Sequence, residues 1–173
     1  MELKKAKICD FERITAFYRN AIEHPAGRSE YSHWIYGKHP TDEMIRDYLK
    51  AGAMYYLEEN GAIISAVAVA DQAEDYHGAD WQLALADGEV SVVHLLCVLP
   101  DVQQRGVGRR TMRAVMEFSR AMGKKAVRLD ALSCNIPAQR LYESIGFRKR
   151  DSRQWYADNV GMAEFYLYEF VLA

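Results

Sequence analysis

The sequence predicts a mixed α/β (α+β) fold: a central mixed β-sheet of about seven strands flanked by four helices. Three observations predict it. Strand-length apolar runs are interspersed with amphipathic stretches at helical spacing along the 173 residues. The passage from Glu89 to Ala131 reads strand, helix, strand with short loops, a βαβ unit whose two strands are parallel. Asn60-Gly61 lies between two apolar runs, a strong hairpin signal that adds antiparallel pairs to the same sheet.

Taken in order, Leu3 to Ile8 reads as a short first strand. Asp10 then caps a helix with Phe11, Ile14, Tyr18, Ala21 and Ile22 on its apolar face, and Pro25 ends it. Thr41 caps a second helix that Gly52 stops. Between them runs the aromatic-rich loop RSEYSHWIYGKHP. The hairpin pairs Ala53–Glu58 with Ala62–Ala70, and an acidic stretch, DQAEDYHGAD, follows it. The near-continuous apolar segment EVSVVHLLCVL is expected to be a strand buried on both faces. Helix Gly106–Met122 carries a polar stripe of Arg110, Arg113, Glu117 and Arg120, continued by Lys124. Strand Ala126–Ala131 comes next, then a short helix, Asn135–Ile145, with Pro137 in its first turn. Two tail strands, Arg148–Tyr156 and Met162–Leu172, close the chain around Asp158-Asn159-Val160-Gly161. Tyr166, Tyr168 and Phe170 alternate on one face of the last strand; they read as core, or as a face that could pair two subunits.

With no linker or internal repeat in view, residues 1–173 are expected to form a single domain. A 19.8 kDa chain should bury about 70% of its unfolded surface. The net charge of −2 lacks the basic surplus of a nonspecific nucleic-acid binder. No apolar run approaches the roughly 20 residues of a membrane span, and the N-terminal MELKKAKICDFERI is unlike a signal peptide. Three widely spaced cysteines, Cys9, Cys97 and Cys134, fit a reducing compartment, so a cytoplasmic location is expected. No metal site is expected: by strand alternation, His94 and Cys97 fall on opposite faces.

The segment Gln103-Gln104-Arg105-Gly106-Val107-Gly108-Arg109 carries the chemistry. It joins a buried strand to a helix start, where glycines allow close backbone approach and the first N–H groups are unpaired. Such a bend suits a pyrophosphate, with Arg105 and Arg109 adding charge-assisted contacts. A P-loop would need Gly-Lys-Ser/Thr, which is absent. A dinucleotide fingerprint would need a glycine where Thr111 stands, although Asp130 lies about 20 residues on, as its ribose-binding acid does.

Gln-x-x-Gly-x-Gly preceded by Cys97-Val98-Leu99-Pro100 resembles the acetyl-CoA signature of the Gcn5-related N-acetyltransferase (GNAT) superfamily. The segment Asn135-Ile136-Pro137-Ala138-Gln139-Arg140-Leu141-Tyr142-Glu143-Ser144-Ile145-Gly146-Phe147 resembles a second motif of that family, at the right distance. The resemblance implies a GNAT-like sheet whose parallel strands 4 and 5 splay apart near Ala131. It implies acetyl-CoA as cosubstrate, with no metal. Backbone groups of Leu96, Cys97 and Val98 would hold the pantetheine arm, residues Gln103 to Arg109 the pyrophosphate, and Asn135 the region of the amide arm. Tyr142 would donate a proton to the departing thiolate.

The implied reaction is direct attack of a primary amine, on a small molecule or a peptide, upon the thioester. A strand N–H near Val98 would face the oxyanion. Asp130 and His94 are the candidate bases, His94 on the same side as Leu96 and Val98 by alternation, with a water chain or no dedicated base as the alternative. Either could instead be structural: Asp130 a loop cap, His94 a hydrogen-bonded core residue. The remaining histidines, His24, His33, His39 and His77, read as solvated loop residues. The acceptor site would draw on Tyr31, His33, Trp34 and Tyr36 from the first loop, and on Tyr76 and Trp81 from the acidic stretch. Glu74, Asp75 and Asp80 would favour a cationic amine. The same aromatics could equally cover the core. The reading from another class is a noncatalytic acyl-CoA-binding module that has kept the cleft.

Overall fold

The computed structural model describes residues 2–24, 31–71 and 73–172. In chain order these form β1 (Lys4–Lys5), α1 (Phe11–Glu23), α2 (Asp42–Lys50), β2 (Met54–Glu59), β3 (Ala62–Ala70), β4 (Val90–Val98), α3 (Val107–Ala121), β5 (Ala126–Leu132), α4 (Ile136–Ser144), β6 (Arg148–Ala157) and β7 (Gly161–Val171). The strands make one seven-stranded sheet in the order β1-β2-β3-β4-β5-β7-β6. The β4–β5 pair is parallel and the other neighbouring pairs are antiparallel.

Local chemistry accounts for most element ends. Thr41 accepts the Met44 amide at 3.1 Å and caps α2. Asn60 and Gly61 both have positive φ, 51° and 79°, as a tight hairpin turn requires. The expected first strand is shorter than Leu3–Ile8. The ladder to β2 is Lys4–Lys5, continued by the Ala6 amide on the Met54 carbonyl at 2.9 Å, and beyond it the Asp10 carboxylate accepts the Lys7 amide at 2.7 Å and residues Ile8–Asp10 turn away. Ile8 is left 51% exposed. Pro25, the expected stop of α1, lies outside the described residues.

The sheet is covered on both faces. Strand alternation sends Ala66 and Ala68 of β3 to one face and Val67 and Val69 to the other. The alanines leave room for α1 and α2, whose Ile14, Tyr18, Ile45 and Leu49 fill that side with Met54 and Leu95. Opposite them, Met112, Val115 and Met116 of α3 pack with Val93, Val127, Leu129 and Phe147. Each such buried side chain contributes about 1.5–3 kcal/mol. Tyr168 is fully buried in this second cluster, with Tyr166 and Phe170 packed against it. Two buried hydroxyl pairs pin α3 to the sheet: Ser65 with Thr111 at 2.7 Å, and Ser119 with Ser91 at 2.8 Å. Arg128 of β5 and Glu169 of β7 form a buried ion pair at 2.9 Å. Arg128 also donates to the Leu83 carbonyl, and Glu169 accepts the Gln82 amide, so the pair fastens the preceding loop to the sheet.

Candidate active site

The site begins where β4 leaves β5. Their register runs from Val90 opposite Ala126 to Val93 opposite Leu129 and stops there, two residues before Ala131. A bulge explains the parting. Between the pairs Ala68–His94 and Ala66–Cys97, three steps along β4 oppose two along β3. Leu95 takes up the extra length at φ 53°, and the buried Tyr18 hydroxyl donates to its carbonyl at 2.7 Å.

The bulge also reverses the faces, which corrects two expectations from alternation. Val92 and His94 share their side with Leu95 and Cys97, whereas Leu96 and Val98 join Val93 on the α3 side. His94 is therefore not on the side of Leu96 and Val98. His94 and Cys97 share a face rather than opposing each other. Among the described residues, no group of three His, Cys, Asp or Glu side chains converges to hold a metal.

The Leu99 amide donates to the Ile64 carbonyl at 3.0 Å. By antiparallel alternation the Cys97 amide also faces β3, while the Leu96 and Val98 amides face the open side. A cleft of about 390 Å³ lies there, lined by Leu96, Cys97 and Val98 on one wall and by Asp130, Ala131 and Leu132 on the other. Gln103 sits at one end and donates to the Val98 carbonyl at 3.2 Å.

Helix α3 starts beside this end. Gln104 and Gly106 have positive φ, 64° and 74°. Arg110 makes the first main-chain bond of the turn, to the Gly106 carbonyl at 3.0 Å. The amides before it, Val107 to Arg109, have no acceptor within the helix, the condition for an anion seat. Gly108 plays a different part from Gly106. A Cβ on Gly108 would meet the Leu141 side chain at 3.1 Å, so this glycine lets α4 pack closely, whereas open space surrounds Gly106. Arg105 and Arg109 are exposed, and Arg109 donates to Ser144 at 2.9 Å.

Asn135 caps α4 by accepting the Ala138 amide at 3.3 Å and also lines the cleft. One helical face carries Tyr142 into the cleft against Phe147 and Tyr168. Its hydroxyl has no hydrogen-bond partner among the described residues. Burial, aided by Asp130, holds it far above the ordinary tyrosine range. Asp130 faces it across the cleft and accepts the Tyr76 hydroxyl at 2.6 Å. His94 is packed between the rings of Tyr48 and Tyr76, each 6.1 Å away. Burial lowers its pKa, partly opposed by the charges of Asp130 and Asp75.

Of the expected acceptor residues, Trp34, Tyr76 and Asp75 line the cleft. Tyr31 is 42% exposed and lies outside it, with its carbonyl accepting the Cys134 thiol at 3.6 Å. Trp81 also lies outside, donating to the Tyr76 carbonyl at 3.1 Å beneath the Arg128 guanidinium. Tyr36 bonds Asp42 at the surface, and exposed His33 offers its carbonyl to Asn159. Sequence reading missed Tyr48, Trp155 and His39, all in the cleft wall. His39 is half-buried against Trp34 rather than solvated. Alternation within β6, which turns Trp155 inward with Arg153 and Ala157, was a signal available for one of them.

The sequence pattern of the acetyltransferase (GNAT) family matches residues 16–147. The chain belongs to this family. The chain is 38% identical over 64 residues to "Probable N-acetyltransferase camello" of Xenopus laevis, covering 37% of this chain and 29% of that relative. It is also 38% identical over 64 residues to the N-alpha-acetyltransferase RimI of Mycobacterium tuberculosis, covering 37% and 39%. The matches thus span well under half of either relative. Among solved structures, a Salmonella typhimurium protein with its cofactor acetyl-CoA shares the GNAT fold at a TM-score of 0.72. It is 19% identical, over 100% of this chain and 94% of that one. The parallel β4–β5 pair is part of the architecture compared.

Proposed function

We propose that this chain transfers an acetyl group from acetyl-CoA to a primary amine by direct attack in a ternary complex. The parting of β4 from β5 beside the start of α3 carries this reading. It leaves the Leu96 and Val98 amides unpaired by β5, a strand edge for the pantetheine arm, beside a helix start for the pyrophosphate. Arg105 and Arg109 add charge at the mouth.

Asp130, fixed by Tyr76, holds the incoming ammonium. His94, kept neutral by burial, takes its proton. The nitrogen lone pair then attacks the thioester carbon, and the oxyanion forms against the Val98 amide. As the C–S bond breaks, the electron pair goes to sulfur, which takes the Tyr142 hydroxyl proton, and the second proton of the acylated nitrogen passes back to restore that hydroxyl. Burial raises the Tyr142 hydroxyl, and the same burial raises the basicity of a thiolate leaving beside it. The products are an acetamide and free coenzyme A thiol.

The test is thiol release from acetyl-CoA in the presence of a panel of primary amines and short peptides. Release that depends on an amine supports the reading. Acetyl-CoA binding with no transfer to any amine favours a noncatalytic acyl-CoA-binding module.

A further inference from the structure

We infer that the acceptor is a primary amine with a flat apolar body and no carboxylate. This rests on the acetyl-transfer reading and narrows its substrate class. The cleft wall away from the α3 start is built of rings. Trp155 stacks on Phe165 with centroids 4.7 Å apart and planes at 23°, and on Tyr76 at 6.5 Å and 21°. Tyr48 and Trp34 complete the enclosure. Such a surface receives an aromatic or broad aliphatic body, and stacked rings favour a planar one.

Charge sets the other half of the specificity. Asp130 and Asp75 both line this cleft, and no lysine or arginine does among the described residues. Asp130 has one oxygen occupied by the Tyr76 hydroxyl and, among the described residues, no hydrogen-bond donor on the other, which can take an ammonium. A carboxylate on the acceptor would meet like charge in a partly dry site. A short diamine such as putrescine has no flat body to lay on the rings and gives up that contact, whichever carboxylate its second ammonium meets.

The experiment compares kcat/KM of the full chain for 2-phenylethylamine, L-phenylalanine, putrescine and an N-terminal alanyl peptide, read as thiol release. The expected result is a preference of at least tenfold for 2-phenylethylamine over each of the others. Equal or better use of phenylalanine, putrescine or the peptide overturns the inference and leaves acetyl transfer standing. Transfer to none of the four overturns it as well, and a parallel melt with acetyl-CoA shows whether the cofactor reading falls with it. One variant locates the site. Trp155→Leu should raise KM for 2-phenylethylamine about tenfold, with kcat and the acetyl-CoA melting shift little changed. An unchanged KM would remove the ring wall from acceptor binding.

Discussion

Tyr76 sets the geometry of Asp130, because its hydroxyl donates to one carboxylate oxygen from a buried ring. Tyr142 faces the same cleft with its hydroxyl unpartnered among the described residues, which leaves it available to a leaving sulfur. Tyr142→Phe removes that donor and little else, since the ring still packs on Phe147 and Tyr168. We expect kcat to fall by about 10²-fold with KM for acetyl-CoA nearly unchanged, measured by thiol release. An unchanged kcat would take Tyr142 out of the reaction. Both motif residues, Tyr142 and Asn135, were legible because they sit in a contiguous segment of recognisable pattern. Tyr48 on α2 and His39 in the loop before it were not, because they meet the cleft only when the chain is folded, and for Trp155 the sequence offered no more than the inward alternation of β6.

Among the elements, β4 decides the site through its bulge. Strand periodicity alone put His94 beside Leu96, and the structure reverses this because Leu95 occupies left-handed space. No glycine marks the position, so local sequence gave no sign of it; the cause is tertiary, the hydroxyl of Tyr18 on α1 reaching the Leu95 carbonyl. Tyr18→Phe leaves that carbonyl buried and unpaired. It should cost about 1–3 kcal/mol of stability in chemical denaturation and weaken acetyl-CoA binding, because the strand edge is no longer held open. A loss of stability with unaltered cofactor binding would show that the bulge persists without its clamp. By contrast, the hairpin, the α2 cap and the α3 boundaries were readable, since Asn60-Gly61, Thr41 and Gly106 act through bonds and torsions within a few residues. The first strand was overextended for the same kind of local reason, the Asp10 carboxylate on the Lys7 amide.

At the scale of the molecule, two helix layers on one sheet make a rigid frame, and the cleft is the one interruption in it that the β4–β5 register requires. The order of elements was open to sequence reading because periodicity switches cleanly between strand and helix; the splay was reached only through a resemblance. Burial lowers the pKa of both His94 and His39. The folded state therefore binds fewer protons than the unfolded one below the ordinary histidine value of about 6.5. Stability should be fully present above that pH and decline as pH falls below it, with the decline reduced in His94→Gln; a melt that is flat from pH 7 to 5 would contradict this. The central claim concerns main-chain amides, so amide hydrogen exchange tests it most directly. With acetyl-CoA added, exchange should slow at Leu96 and Val98 and across Gln104–Arg109, while the paired segment Val90–Val93 changes little. Slowing confined to other elements, or none at the β4 edge and the α3 start, would contradict the account.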